Sequence, residues 1–162
     1  MNISKKTNIL LFLYIFTLTF LILFKLSLDI PSLVTTRSIN LIPFYYDKET
    51  TFHLKEIIEN ILIFIPLGLL LKMKDLSPKK ILLLGFLLSF TYEFLQYIFS
   101  IGVADITDII ANTIGAILGS LVYSILSHFI HNKSKLNNFI ITSGYLVFTI
   151  FIALFALLNI VN

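Results

Sequence analysis

Residues 81–99 read ILLLGFLLSFTYEFLQYIF, and after a short connection residues 106–129 read ITDIIANTIGAILGSLVYSILSHF. A bilayer core about 30 Å thick takes about 20 apolar residues of helix at a rise of about 1.5 Å each. Both stretches are long enough to cross it, and the brief connection makes them antiparallel neighbours. Both also keep acidic and amide side chains inside the apolar run, and those exceptions carry most of the functional information.

Three further apolar blocks flank this pair. The spacing predicts five transmembrane helices, over 8–28, 54–71, 81–99, 106–129 and 138–160, in one all-α polytopic membrane domain spanning 1–162. The second is the weakest, because Glu56, Glu59 and Asn60 lie in its first turns. Composition agrees: 57% of the 162 residues are hydrophobic and 13% charged, with a mean hydropathy of +0.96. Soluble domains carry about 25% charged residues, so an ordinary soluble enzyme is excluded. Lys5 and Lys6 before the first block imitate a signal peptide, but the block outruns the usual 7–15 residues and no A-x-A site follows. An uncleaved first helix is expected.

Cations fix the expected orientation. Lys5, Lys6, Lys72, Lys74, Lys79, Lys80, Lys133 and Lys135 fall at one end of the predicted bundle; Lys25, Arg37, Lys48 and Lys55 are spread over the long loop at the other, among Asp29, Asp47, Glu49 and Glu56. The N-terminus is therefore expected in the cytoplasm and the C-terminus outside. The net charge of +3 and the pI near 9.1 are explained this way, since no basic patch interleaved with stacking aromatics suggests nucleic acid. The long loop contains Asn40-Leu41-Ile42-Pro43-Phe44-Tyr45-Tyr46, apolar enough to lie on the membrane surface or dip into the bundle.

A carboxylate at mid-helix costs about 2.5–3.5 kcal/mol on insertion scales, so each one asks for a partner, water or a function. Ser89, Glu93 and Gln96 share one face of the third helix by their i, i+4, i+7 spacing. The fourth helix starts at Asp105 and continues with Asp108 and Asn112, then Gly115 and Gly119; the second contributes Glu59 and Asn60. At 1.5 Å per residue, Glu93 lies about 9 Å below the outer end of its helix, Asp108 about 3 Å and Asn112 about 9 Å below the same surface. The expectation is one polar cavity, open outward, lined by helices two, three and four. Asn60, Gln96 and Asn112 also fit a purely structural role, at about 0.6 kcal/mol per interhelical hydrogen bond. The pair Gly115 and Gly119 permits close helix packing, within the chain or with another subunit.

The chain has no cysteine, hence no disulfide or thiolate site, and no G-x-S-x-G, H-E-x-x-H or P-loop pattern. His128 and His131 sit at a helix end and His53 stands alone in the long loop. A hard cation on Glu93, Asp105 and Asp108 is the less favoured reading of those acids; no metal and no cofactor are expected.

Taken in order, Asn40-Leu41-Ile42-Pro43-Phe44, Glu59-Asn60 through Pro66-Leu67-Gly68, Glu93-Phe94-Leu95-Gln96, Asp105-Ile106-Thr107-Asp108 and Asn112-Thr113-Ile114-Gly115 with Gly119 resemble the VanZ-like family over residues 40–119. One departure is Gly102-Val103-Ala104, where many members have an Arg close to the acid; Asp105 must be satisfied differently here. The resemblance implies a small bacterial envelope protein that lowers susceptibility to teicoplanin-type glycopeptides, as the family's founding member is associated with doing. The expected partners are the bilayer and a lipoglycopeptide or lipid-linked cell-wall precursor, with a homo-oligomer open. Two other readings stand beside it: an intramembrane enzyme using Glu93 or Asp108 as general acid or base, and a scaffold binding through the glycine stripe. The enzyme question stays open, with a non-catalytic role favoured.

Overall fold

A computed structural model describes residues 3–24, 37–45 and 50–161. Five helices and a short strand pair are seen: α1 (Ile3–Phe24), β1 (Ser38–Asn40), α2 (Thr50–Met73), α3 (Pro78–Phe99), β2 (Val103–Asp105), α4 (Ile106–Phe129) and α5 (Lys133–Val161). Lys25, Asp29, Tyr46, Asp47, Lys48 and Glu49, and the expected end of the first helix at 25–28, lie outside the described residues.

The helix ends have local causes. Ser77 caps α3 by accepting a hydrogen bond from the Lys80 N–H, with Pro78 in the first turn, where its missing N–H costs nothing. At the other end Ser100 turns into the left-handed region (φ 57°), and its N–H meets the Gln96 and Tyr97 carbonyls. Asp105 caps α4 through the Thr107 N–H at 2.7 Å.

Among the described residues, α1, α3, α4 and α5 are long and apolar enough to cross a membrane. The remaining helix, α2, has 24 residues, about 36 Å of rise, but Lys55, Glu56 and Glu59 occupy its first half. Large apolar side chains such as Phe12, Phe16, Leu83, Phe139 and Val147 are exposed around the outside, as a lipid-facing surface requires.

The closest approach in the bundle is between α2 and α4, backbone against backbone. A Cβ added at Gly68 would collide with the Ala116 carbonyl oxygen, one at Gly115 with that of Ile61, and one at Gly119 with that of Ile65. The glycine stripe therefore packs within the chain. Around it, Leu18, Phe64, Leu67, Ile81, Tyr92 and Ala116 form the main core, and the α1 hydroxyl of Thr19 meets that of Tyr92 at 3.0 Å. At the basic end, Lys133 binds Asp75 at 2.7 Å, joining the α4–α5 connection to the α2–α3 turn.

The strand pair has no counterpart among the sequence expectations. β1 and β2 run parallel with Ser38 opposite Val103, Ile39 opposite Ala104 and Asn40 opposite Asp105. Three residues per strand are too few for a periodic signal, and their role is to hold residues 37–45 against the α3–α4 connection.

Alanine is the better helix former by about 1 kcal/mol, yet Gly68→Ala and Gly119→Ala are expected to lower stability by about 1–3 kcal/mol each, because two backbones must separate. Gly102→Ala, whose added Cβ meets nothing nearer than 3.7 Å, is the control. Thermal midpoints in detergent decide the matter: a Gly119→Ala midpoint equal to that of Gly102→Ala is the outcome against this packing.

Candidate functional site

The end of the bundle that carries the strand pair gathers most of the polar side chains singled out from sequence. At its centre is Asp105. One carboxylate oxygen accepts the Thr107 N–H at 2.7 Å; the other accepts the Asn40 side-chain amide at 3.0 Å. This is how Asp105 is satisfied without a nearby arginine. Its own N–H donates to Glu93 Oε2 at 2.9 Å, so Glu93 holds the strand and the strand's acid holds the loop. Asn40 also donates to the Tyr45 carbonyl (3.3 Å) and accepts from the Ile42 N–H (3.1 Å), while the Phe44 N–H reaches the Thr107 hydroxyl at 3.1 Å. The segment 40–45 is thereby sewn onto the start of α4, with Leu41, Ile42, Phe44 and Tyr45 exposed on the outside rather than inserted into the bundle.

The other expected residues separate into distinct places. Asn112 donates to the Ser89 hydroxyl at 2.9 Å, one turn below Glu93, and its carbonyl oxygen is buried with no hydrogen-bond partner. Asp108 turns toward α2, where the Asn60 side chain hydrogen bonds to it and Glu56 and Asp105 lie near enough to repel it. Gln96 reaches the Ile22 carbonyl of α1 at 3.2 Å. Glu59 is exposed and stands 3.6 Å from Lys55, away from the others. The polar groups thus form a knot, a deeper pair and a flank rather than lining one chamber together.

A cavity of about 580 Å³ does open between α3 and α4, and its walls are apolar. Phe86, Phe90 and Phe94 stack down α3 with ring centroids 6.1 and 6.4 Å apart. Ile106, Ile109, Ile110, Thr113 and Ile114 of α4 face them, Ile39 and Leu41 close the loop end, and Glu93 and Asp105 are its acidic members. Both Asp105 oxygens are taken. Glu93 is 4% exposed, and its Oε1 has no hydrogen-bond partner among the described residues. The site is an apolar groove with one unclaimed carboxylate oxygen at its head.

Two contributors do not stand out in the sequence. Thr107 lies between two more conspicuous acids, although its place just after a helix cap is readable. Arg37 reads from sequence only as a loop charge; it donates to Ser100 Oγ (3.3 Å) and the Ile98 carbonyl (3.1 Å), with its guanidinium 5.3 Å above the Tyr97 ring. Those partners depend on the strand pairing, which has no sequence signal.

Comparison with known proteins gives two matches. Residues 11–127 match the family described as VanZ/LLP1. Over 144 residues, 85% of each chain, the sequence is 44% identical to Protein VanZ of Enterococcus faecium. No solved structure matches.

The knot has a clear test in hydrogen exchange. Asn40→Leu removes the donor to Asp105 and the acceptor of the Ile42 N–H, at about 0.5–1.5 kcal/mol for each hydrogen bond. The Ile42 and Phe44 amides should then exchange about tenfold faster or more, with those of the α2–α4 contact unchanged. Glu93→Gln, which keeps an acceptor for the Asp105 N–H, should preserve protection at that amide, and Glu93→Leu should remove it. Equal protection in all three variants is the contrary result.

Proposed function

The chain belongs to the VanZ/LLP1 family, and from that membership we propose that it is a bacterial cell-envelope membrane protein that lowers susceptibility to teicoplanin-type glycopeptides. The observation carrying the reading is the 44% identity to Protein VanZ over 85% of both chains. We further propose that the end bearing the strand pair faces out of the cytoplasmic membrane, because Lys5, Lys6, Lys72, Lys74, Lys79, Lys80, Lys133 and Lys135 all belong to the opposite end. In that orientation a lipoglycopeptide or a lipid-linked wall precursor meets this end of the bundle from the outer leaflet.

We favour a binding role over catalysis. Of the hydroxyls available as nucleophiles, Ser89 accepts from Asn112, Thr107 accepts from the Phe44 N–H, and Thr91 donates to the Leu87 carbonyl. None is hydrogen-bonded to Glu93 or Asp108, the bases that such a nucleophile needs.

Expression in a susceptible Gram-positive host is expected to raise the inhibitory concentration of teicoplanin several-fold and that of vancomycin little. Glu93→Gln and Asp108→Asn, at equal membrane abundance, should each reduce the difference. Equal responses to the two antibiotics, with and without the protein, defeat the proposal. Because the chain has no cysteine of its own, a single Gly102→Cys reports orientation: an impermeant maleimide should label it in intact cells, and labelling only after lysis reverses the assignment.

A further inference from the structure

We propose that the groove between α3 and α4 holds the single alkyl chain of a non-anionic amphiphile whose first polar group donates a hydrogen bond to Glu93 Oε1. The inference rests on the reading above only in taking an amphiphile as the ligand.

The shape selects a chain. From Phe86 to Tyr97 the α3 wall is about 16 Å long at 1.5 Å per residue, and the cavity's 580 Å³ is within the range of about 300–1,000 Å³ typical of ligand sites. The stacked rings of Phe86, Phe90 and Phe94 make one continuous flank, with Ile110 and Thr113 opposite. A groove with apolar walls suits methylene groups and offers little to a polar body.

The head of the slot selects the adjoining group. Glu93 is nine-tenths or more buried, Oε2 is fixed by the Asp105 N–H, and Oε1 is left as an acceptor at the groove. That oxygen keeps its acceptor capacity, which a hydroxyl, an amide N–H or an ammonium at the base of the chain fills. A phosphodiester or fatty carboxylate at that position would stand among acids, since Glu93 and Asp105 both line the groove. Arg37 is not among the residues lining the groove, and its guanidinium is held by Ser100 and the Ile98 carbonyl above the Tyr97 ring.

The chain contains no tryptophan, so one introduced indole reports without background. Phe94→Trp on the groove wall is compared with Leu154→Trp on exposed α5, each in phosphatidylcholine nanodiscs. The probes are 1-(dibromostearoyl)glycerol and the lysophosphatidylglycerol bearing the same brominated chain. The monoacylglycerol is expected to quench the groove indole of Phe94→Trp saturably. It should do so at a mole fraction at least tenfold below that needed for the Leu154→Trp reporter, and at least tenfold below that of the anionic probe. Glu93→Gln keeps its oxygen on the Asp105 N–H and turns an NH₂ toward the groove, so half-saturation should rise about tenfold. If that variant does not survive extraction, Ile110→Phe, which fills the slot from the opposite wall, should abolish saturation. Equal quenching of both reporters, preference for the anionic probe, or unchanged half-saturation in the Glu93→Gln and Ile110→Phe proteins overturns the assignment. No antibiotic enters the titration, so a failed susceptibility panel and a failed titration are separate results.

Discussion

The contact of α2 with α4 sets where everything else can stand. In lipid, helices gain little from burying apolar side chains against each other, and close backbone approach supplies the packing instead. Gly68 on one helix, and Gly115 and Gly119 on the other, bring carbonyls of the partner to positions that a methyl group would occupy. This contact lies along the half of α2 that includes Phe64, Leu67 and Leu70, all buried. The half bearing Lys55, Glu56 and Glu59 is more exposed, so the seam secures the one helix whose composition alone is too charged to commit it to the bilayer. It also turns Asn60 toward Asp108, which gives that acid a donor.

The second constraint is the accounting of polar groups at the strand end. Asp105 needs donors for a carboxylate near membrane depth, and it draws them from two different segments: its own helix start and the loop residue Asn40. Each of those bonds holds backbone as well as side chain. The loop cannot leave without stranding Asp105, and the α3–α4 connection cannot shift without removing the Glu93 acceptor from the Asp105 N–H. Parallel pairing of β1 with β2 follows from this, since the two strands hold Asn40 and Asp105 in register. A buried network of this kind is rigid because each member satisfies another.

Much of this was legible in the order of residues. The expected spans over 81–99 and 106–129 lie within α3 and coincide with α4, because an apolar run of that length has one stable form in a bilayer. Residues 138–160 fall within the longer α5, and residues 54–71 within α2, which starts at Thr50 because its first turns are polar and gave no hydropathy signal. The shared face of Ser89, Glu93 and Gln96 was readable from helical spacing, and all three are buried. Their partners were not readable. Spacing says which residues share a face, but not how each helix is rotated against its neighbours, so Gln96 meets α1, Ser89 meets Asn112, and Asp108 meets Asn60. The strand pair was invisible for a different reason: its stability comes from side chains at its ends, contributed from 65 residues apart.

Glu93 does more than its hydrogen bond to the strand requires. Its Oε2 has a structural task that an amide oxygen performs equally well, since Gln also accepts from the Asp105 N–H. A glutamine there would avoid the greater expense of a carboxylate among apolar walls, and it would not add to the repulsion from Asp105 and Asp108. The hydrogen bond to β2 alone therefore does not require the acid. The chain instead carries the acid, with its second oxygen turned to an apolar groove where no described residue donates to it. What distinguishes Glu from Gln at this position is that second oxygen, which no described residue engages.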